Sequence, residues 1–365
     1  MAEVWEMDRE RSMGGSADGD VGNGGGDWTP LEICGQCRGG VRTIDRAEIE
    51  AWQRSAEFAA VRAQWEASPG VTIQLSGGTT ADPLLWPRSQ SDLEDIYERV
   101  ARYYRALTGC NSVQRVALVG GVSHARVALN WRREEVEVRS FERGQVDELC
   151  AYDPDLLSCY PSIARELFPC PSELLLPSLR VLKLGGERLF VADVKRLHEG
   201  LQDVRIIEQF GSTELPALAF RCHRKGIFTS IYRLETERFD FSLNLAQDGW
   251  QALTAFDKFS DLALPLEGRY DTGDEALVKN GSVIDLRRVD DPSEPFWNLA
   301  EELLSKGVEN LQVQPREALV RYSSRIELPP SMDWEGTTYR MERCEKLARA
   351  EGSNKLPLVL HPVAP

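Results

Sequence analysis

Between Arg115 and Ile207, short apolar runs alternate with stretches of helical periodicity, and this alternation leaves the chain few architectures. The runs are Arg115–Val119, Val136–Phe141, Leu156–Tyr160, Val181–Leu184 and Val204–Ile207. The connections between most of them are long enough to hold a helix, as parallel pairing requires and hairpins do not. Near-continuous apolar character also suits strands covered on both faces. The expected fold class is α/β, built on mixed, mainly parallel sheets. With 365 residues, one large domain and a small appendage are the default partition.

The flanks refine that partition. Residues Ile44 to Trp65 form a polar, Ala-rich helical segment that leads into an apolar run, Val71–Leu75, read as a strand. Ser91-Asp92-Leu93-Glu94 has the form of a capping box, after which Leu93, Ile96, Tyr97, Val100, Tyr104 and Leu107 recur at helical spacing. From Phe228 to Val278 the pattern shifts to short β-rich pieces punctuated by Asp248-Gly249 and Glu267-Gly268, which predicts hairpins or a small β subdomain. Pro292 and Pro295 break the chain again. The resulting division is a Gly-rich tail over 1–28, a large domain over 29–290 and a small α+β unit over 291–365. The tail is acidic and glycine-dense, too poor in apolar residues to offset ordering entropy, so disorder is expected there.

Charge narrows the function. Lys plus Arg number 43 against 58 Asp plus Glu, a net charge of -15, which disfavours nucleic acid and anionic membrane surfaces. The chain has no run of 18 apolar residues and no signal-like apolar stretch in its first 28, so a soluble cytoplasmic protein is expected. Its eight cysteines lack a framework spacing and are expected to be reduced. Cys34 and Cys37 form one C-x-x-C, with Cys222 and His223 as distant supplements to a zinc set; a turn with two free thiols competes with that reading.

Three polar segments carry the chemistry. Ser76-Gly77-Gly78-Thr79-Thr80 follows the Val71–Leu75 strand and combines hydroxyls with close-approach backbone amides, the means of holding a polyphosphate. No Gly-Lys-Ser or Gly-Lys-Thr follows it, so it is not a Walker loop. Glu208-Gln209-Phe210-Gly211-Ser212-Thr213-Glu214 closes another strand and offers an aromatic face beside carboxylates. Tyr270-Asp271-Thr272-Gly273-Asp274 presents a further carboxylate, an acceptor-only group able to take two hydroxyl bonds.

In this order and separation, the segments resemble the motifs of the adenylate-forming superfamily of acyl- and aryl-CoA synthetases, with the phenylacetate-CoA ligase branch most similar. The resemblance spans about Asp45 to Asp291 and weakens toward the C-terminus. Residues Ser76 to Thr80 and Pro83 match the family's phosphate loop, while Ala81 stands in place of a glycine and Leu84 where lysine is frequent. The resemblance implies that Thr79 and Thr80 hold the β- and γ-phosphates of ATP, and that Gly185-Gly186-Glu187 lies against the adenine edge. It implies an acceptor role for Glu208 toward the adenine amino group, stacking by Phe210, α-phosphate contact by Thr213 and Mg2+ ligation by Glu214. Asp274 corresponds to the ribose-binding aspartate, Arg288 to the arginine that reaches ribose or phosphate, and Asp290 to the pivot between domains. His124, at a strand-loop-helix corner, corresponds to a histidine lining the carboxylate pocket. Lys355, in Gly352-Ser353-Asn354-Lys355, corresponds to the catalytic lysine of the mobile domain.

The activity so implied is ATP-dependent activation of an aromatic or arylacetic acid to its acyl adenylate. Small stand-alone adenylating proteins of phenazine-antibiotic pathways are similar in their reduced C-terminal unit, and they suggest secondary metabolism. Pro292 to Leu299 replaces the family's Arg-Gly loop near the thiol acceptor, so thioester formation with coenzyme A stands as an alternative. An acyl-protein synthetase and a nucleotide-binding protein without turnover are two others. A downstream acceptor enzyme or carrier would take the acyl group, and the oligomeric state is open, a homodimer included.

Overall fold

Helix-length connections do deliver the central strands in parallel. The structure is a computed structural model and describes residues 43–75, 84–109, 113–120, 136–168, 176–201, 203–225, 229–245, 249–258, 269–289, 291, 293–349 and 355–360. The Gly-rich tail, Cys34, Cys37, the Ser76 to Thr80 segment, His124 and Asp290 lie outside these residues.

After β1 (Thr43–Ile44), the single helical segment expected from the sequence divides into α1 (Arg46–Gln53) and α2 (Ala56–Ala67). The break has a local cause: the Ser55 hydroxyl accepts from the Phe58 amide at 3.2 Å and starts a second helix. Trp52, Phe58 and Trp65 then meet edge-on between the two, with ring centroids 4.9 to 6.2 Å apart. β2 (Val71–Leu75) and β3 (Leu85–Ser89) pair antiparallel on either side of the Ser/Gly/Thr segment.

The next helix, α3 (Gln90–Thr108), begins two residues earlier than the capping box at Ser91 suggested. Its N-cap is Ser89, whose hydroxyl accepts from the Asp92 amide at 3.0 Å. The reason is tertiary: Asp92 is buried and pairs with Arg88 at 2.8 Å and Arg238 at 2.5 Å, which fixes the first turn. Ser89→Ala should therefore cost about 1 kcal/mol and lower the denaturation midpoint, whereas Ser91→Ala leaves it within experimental scatter; equal losses would return the cap to Ser91.

β4 (Arg115–Val119), β5 (Glu137–Phe141), β6 (Leu156–Cys159), β7 (Val181–Gly185) and β8 (Arg205–Phe210) form the parallel part of a seven-stranded sheet. Between them run α4 (Val146–Tyr152), α5 (Pro161–Leu167) and α6 (Val191–Gly200). β9 (Ala219–His223) and β10 (Arg233–Leu234) add antiparallel strands at one edge, giving the order β10-β9-β8-β7-β6-β4-β5. Side chains alternate between two cores, as strand geometry dictates. Leu157, Leu182, Leu184 and Ile206 pack with α5 and α6; Val116, Leu156, Val181 and Ile207 pack with α3.

The β-rich region follows. β11 (Phe239–Leu245), β12 (Trp250–Asp257), β13 (Arg269–Lys279) and β14 (Ser282–Arg288) pair antiparallel, with β1 joining β13. Asn280 and Gly281, both at positive φ (52° and 73°), make the tight turn between β13 and β14. Then come α7 (Trp297–Ser305), β15 (Asn310–Gln314), β16 (Leu319–Ser323), β17 (Ser331–Trp334) and β18 (Thr337–Arg343), the strands ordered β15-β16-β18-β17. Leu299, Leu303, Val313 and Tyr322 from this unit share one core with Phe190 and Ala192 at the start of α6. The Glu301 carboxylate accepts from the Val191 and Ala192 amides at 3.0 and 2.8 Å, and Arg188 stacks 3.5 Å from the Trp297 ring. Among the described residues no helix is long and apolar enough to cross a membrane.

Candidate functional site

The C-terminal ends of β6, β7 and β8 meet at one corner, the place where open α/β sheets hold ligands. The segment after β8 turns sharply: Ser212 donates its amide to the Leu215 carbonyl at 3.1 Å and its hydroxyl accepts from the Leu215 amide at 3.2 Å. Gly211 is required there, because a Cβ on it would stand 2.8 Å from the Ala217 nitrogen and from the Leu215 carbonyl. Arg88, fully buried, donates to the carbonyls of Thr213 and Glu214 at 3.2 and 2.7 Å and so fixes the backbone of the Thr213-Glu214 pair.

That turn buries Glu214 to 3% exposure. Its Oε1 has no hydrogen-bond partner among the described residues, and the Arg46 guanidinium is 4.0 Å away. A buried carboxylate oxygen without a donor is costly. It suits a hard cation such as Mg2+, which binds carboxylate oxygens beside phosphate.

Asp274 reaches the same corner from β13. A register shift against Leu253 and Thr254 of β12, with Gly273 at φ 65°, turns the strand so that Asp274 is 5% exposed. Burial pushes its carboxyl up to about 6; Arg288, donating at 3.4 Å, and the Thr272 hydroxyl pull it down, and Glu214 pushes it further up. Since this pKa is raised from 3.8, its contribution to stability is present below pH 3.8 and lost as pH rises through about 6. The ionised form is the better hydroxyl acceptor. If Asp274 takes the ribose role that the sequence resemblance implies, adenosine affinity should rise with pH through about 6 and then level off. In Asp274→Asn the profile should be flat and binding weaker by about 1.5–3 kcal/mol at pH 8, as calorimetry would measure; an unchanged profile would remove Asp274 from the ribose role.

The C-terminal segment brings Lys355 to this corner. Its Nζ stands 5.9 Å from the Tyr160 ring centroid, and its Cε is 3.4 Å from where a Cβ on Gly186 would lie. Gly186, at φ 79°, leaves room for the Tyr160 ring, 2.8 Å from that same position. Burial lowers the Lys355 ammonium, Glu187 and Glu214 raise it, and Arg288 lowers it further. Glu187 anchors the segment, its carboxylate accepting from the Ser162 amide and hydroxyl, both at 3.0 Å, and from the Leu356 amide at 2.6 Å. Buried Gln312 donates to the Ala348 and Pro357 carbonyls at 2.6 and 3.2 Å and accepts from the Ala348 amide at 3.0 Å, while Val359 bridges to Val313.

Glu187, Glu214, Asp274, Arg288 and Lys355, named from sequence, thus converge on one corner. One other takes different surroundings. Glu208 is buried in an ion pair with Arg221, with the Tyr232 hydroxyl donating at 2.7 Å. Burial opposes its charge, but Arg221, His223 and Tyr232 together hold its carboxyl down at about 2. Its oxygens are thus occupied by the protein. Glu187 spends its carboxylate on the Ser162 amide and hydroxyl and on the Leu356 amide. Phe210 ends β8 half-buried. Ser76, Gly77, Gly78, Thr79, Thr80 and His124 lie outside the described residues, and the described residues contain no group of three or more metal-ligand side chains, Cys222 and His223 included. Sequence reading missed Arg88, Arg46, Tyr160 and Gln312; a lone arginine in the apolar Leu85–Ser89 strand was the one available signal.

No protein-family model matches the sequence, and no curated protein matches it significantly. Solved structures do. A 2-hydroxyisobutyryl-CoA ligase in the postadenylation state aligns with TM-score 0.60 at 14% identity, covering 88% of this chain and 80% of that one. The anthranilate CoA ligase AuaEII, solved with anthranoyl-AMP, aligns with TM-score 0.57 at 15% identity over 78% of this chain and 65% of that one. IdnL7 aligns at 0.54 with 12% identity over 75% and 64%. The chain therefore spans about two thirds of two of these structures and has the fold of adenylate-forming ligases.

Proposed function

We propose that this protein activates a carboxylic acid with ATP, forming an acyl adenylate and releasing pyrophosphate. The carrying observation is the convergence of Glu214, Asp274, Arg288 and Lys355 on the corner above β6, β7 and β8, from segments far apart in the chain. Each supplies a separate requirement. Asp274 offers its carboxylate to both ribose hydroxyls, with Arg288 holding it and facing ribose or phosphate. Phe210 gives the adenine a ring face. Thr213 contacts the α-phosphate, and its backbone is fixed by Arg88. Glu214 would hold Mg2+, which supplies charge neutralisation at the phosphates. Lys355 places a cation where negative charge grows on the α-phosphate oxygens as the carboxylate attacks. Ser76 to Thr80 carry the phosphate-loop role and His124 the carboxylate-pocket role by sequence resemblance.

The acid is aromatic or arylacetic in this reading, and the acyl group passes to a downstream enzyme or carrier of secondary metabolism, with coenzyme A as an alternative acceptor. Acid-dependent exchange of labelled pyrophosphate into ATP, across a panel of aryl acids, tests the proposal. Exchange with any of them supports adenylation. Tight AMP binding with no exchange for every acid would replace it with a nucleotide-binding protein.

A further inference from the structure

Lys355 sits on a stretch with little regular structure of its own. Residues 355–360 belong to no helix and no extended ladder, and among the described residues their strand-type pairing is the bridge of Val359 with Val313. A terminal stretch of this kind frays unless groups from elsewhere tie it down. The place of the lysine is then set by those ties.

Gln312 is one tie, through Ala348 and Pro357. Glu187 is the other, and it acts directly beside the lysine. Its Oε2 accepts from the Ser162 amide at 3.0 Å, while its Oε1 accepts from the Ser162 hydroxyl at 3.0 Å and from the Leu356 amide at 2.6 Å. The two Ser162 bonds are enough to complete the first turn of α5; the third and shortest goes to the neighbour of Lys355. Bonds to an ionised carboxylate are the strong ones. The base of this tie is itself fixed. Ser162 is fully buried, its carbonyl accepts from Asn310 Nδ2 at 3.3 Å, and its hydroxyl accepts from Arg349 at 3.1 Å, whose other terminal nitrogen reaches Glu166 at 2.5 Å. Arg349 before the lysine and Leu356 after it therefore reach one Ser162 and Glu187 pair. The residue preceding Glu187 is Gly186, whose missing Cβ leaves space for the Lys355 Cε and the Tyr160 ring. The turn after β7 thus clears room for the lysine side chain and holds the backbone next to it.

We propose that Glu187 is a positioning residue for Lys355: by holding the Leu356 amide it keeps the lysine at the corner shared with Glu214. The holding stands on this geometry, and its effect on turnover rests on the adenylation reading. Glu187→Gln in the full chain tests both parts. Hydrogen exchange over residues 355–360 should speed up about tenfold or more, the size of losing a hydrogen bond to a charged group. Acid-dependent pyrophosphate exchange should fall by a similar factor in kcat, with the KM for ATP and the calorimetric affinity for AMP within about twofold of wild type. In a Lys355→Ala background the same substitution should change the residual exchange less than about twofold, because a residue that acts through the lysine has nothing left to position. Should the glutamine variant unfold, Glu187→Asp takes its place, and the two readouts must still move together. Wild-type turnover in a variant whose 355–360 segment has loosened overturns the proposal, as does a loss of full size that persists without Lys355. If wild type exchanges pyrophosphate with none of the acids, the adenylation reading falls, and the hydrogen exchange alone decides: a loosened segment keeps Glu187 as the anchor of Lys355, and an unchanged one removes it.

Discussion

Lys355→Ala is expected to lower acid-dependent pyrophosphate exchange by on the order of 10²–10³-fold, the scale of removing one group aimed at developing charge, while AMP binding changes little. The structural basis is the delivery of its side chain to the Tyr160 and Gly186 corner, where Glu187 and Glu214 support its charge against burial. Lys355→Arg should recover only part of the activity, because a planar fork does not replace a compact ammonium. The loss should fall on kcat rather than on the KM for ATP, since the interaction strengthens as the α-phosphate gains charge. Exchange at near wild-type rate in the alanine variant would take Lys355 out of the reaction.

Glu214→Gln should cost a similar factor, about 3 kcal/mol in the barrier, with the magnesium dependence shifted to higher concentration. It carries a second expectation that separates function from architecture. In the free protein, Glu214 is a buried carboxylate with one oxygen lacking a donor. Neutralising it should leave the thermal midpoint close to wild type, because its ion pair with Arg46, at 4.0 Å, contributes little to stability. A variant both inactive and markedly less stable would instead make Glu214 a structural anion for Arg46.

The two residues also show why some of the site was legible before folding and some was not. Glu214 and Asp274 stand inside short segments dense in small and polar residues, so Phe210-Gly211-Ser212-Thr213-Glu214 and Thr272-Gly273-Asp274 could be read directly. Glu208 and Glu187 sit in equally suggestive segments, yet the folded protein engages their carboxylates with Arg221 and Tyr232, and with Ser162 and Leu356. Those partners come from 13 to 169 positions away, a distance at which no local pattern can signal a pairing. Arg88 and Gln312 escaped notice for the same reason: neither stands out from its strand until its backbone partners from other segments are in place.

Local physical chemistry was enough for the parallel sheet and its crossover helices, because the periods of strand and helix and the long connections leave few alternatives. Helix starts were less secure. The α3 cap moved from Ser91 to Ser89 because the buried ion pairs of Asp92 with Arg88 and Arg238 outweigh a capping motif worth about 1 kcal/mol. By itself, then, the sequence determined the layered α/β architecture and marked the short polar segments that hold Glu214, Asp274 and Lys355. Only the tertiary structure decided which carboxylates remain available and which the protein consumes. It also decided that Lys355, in the C-terminal segment, meets Glu214 and Asp274 at one corner, because burial and long-range pairing, rather than residue type, set the charge and reach of each group.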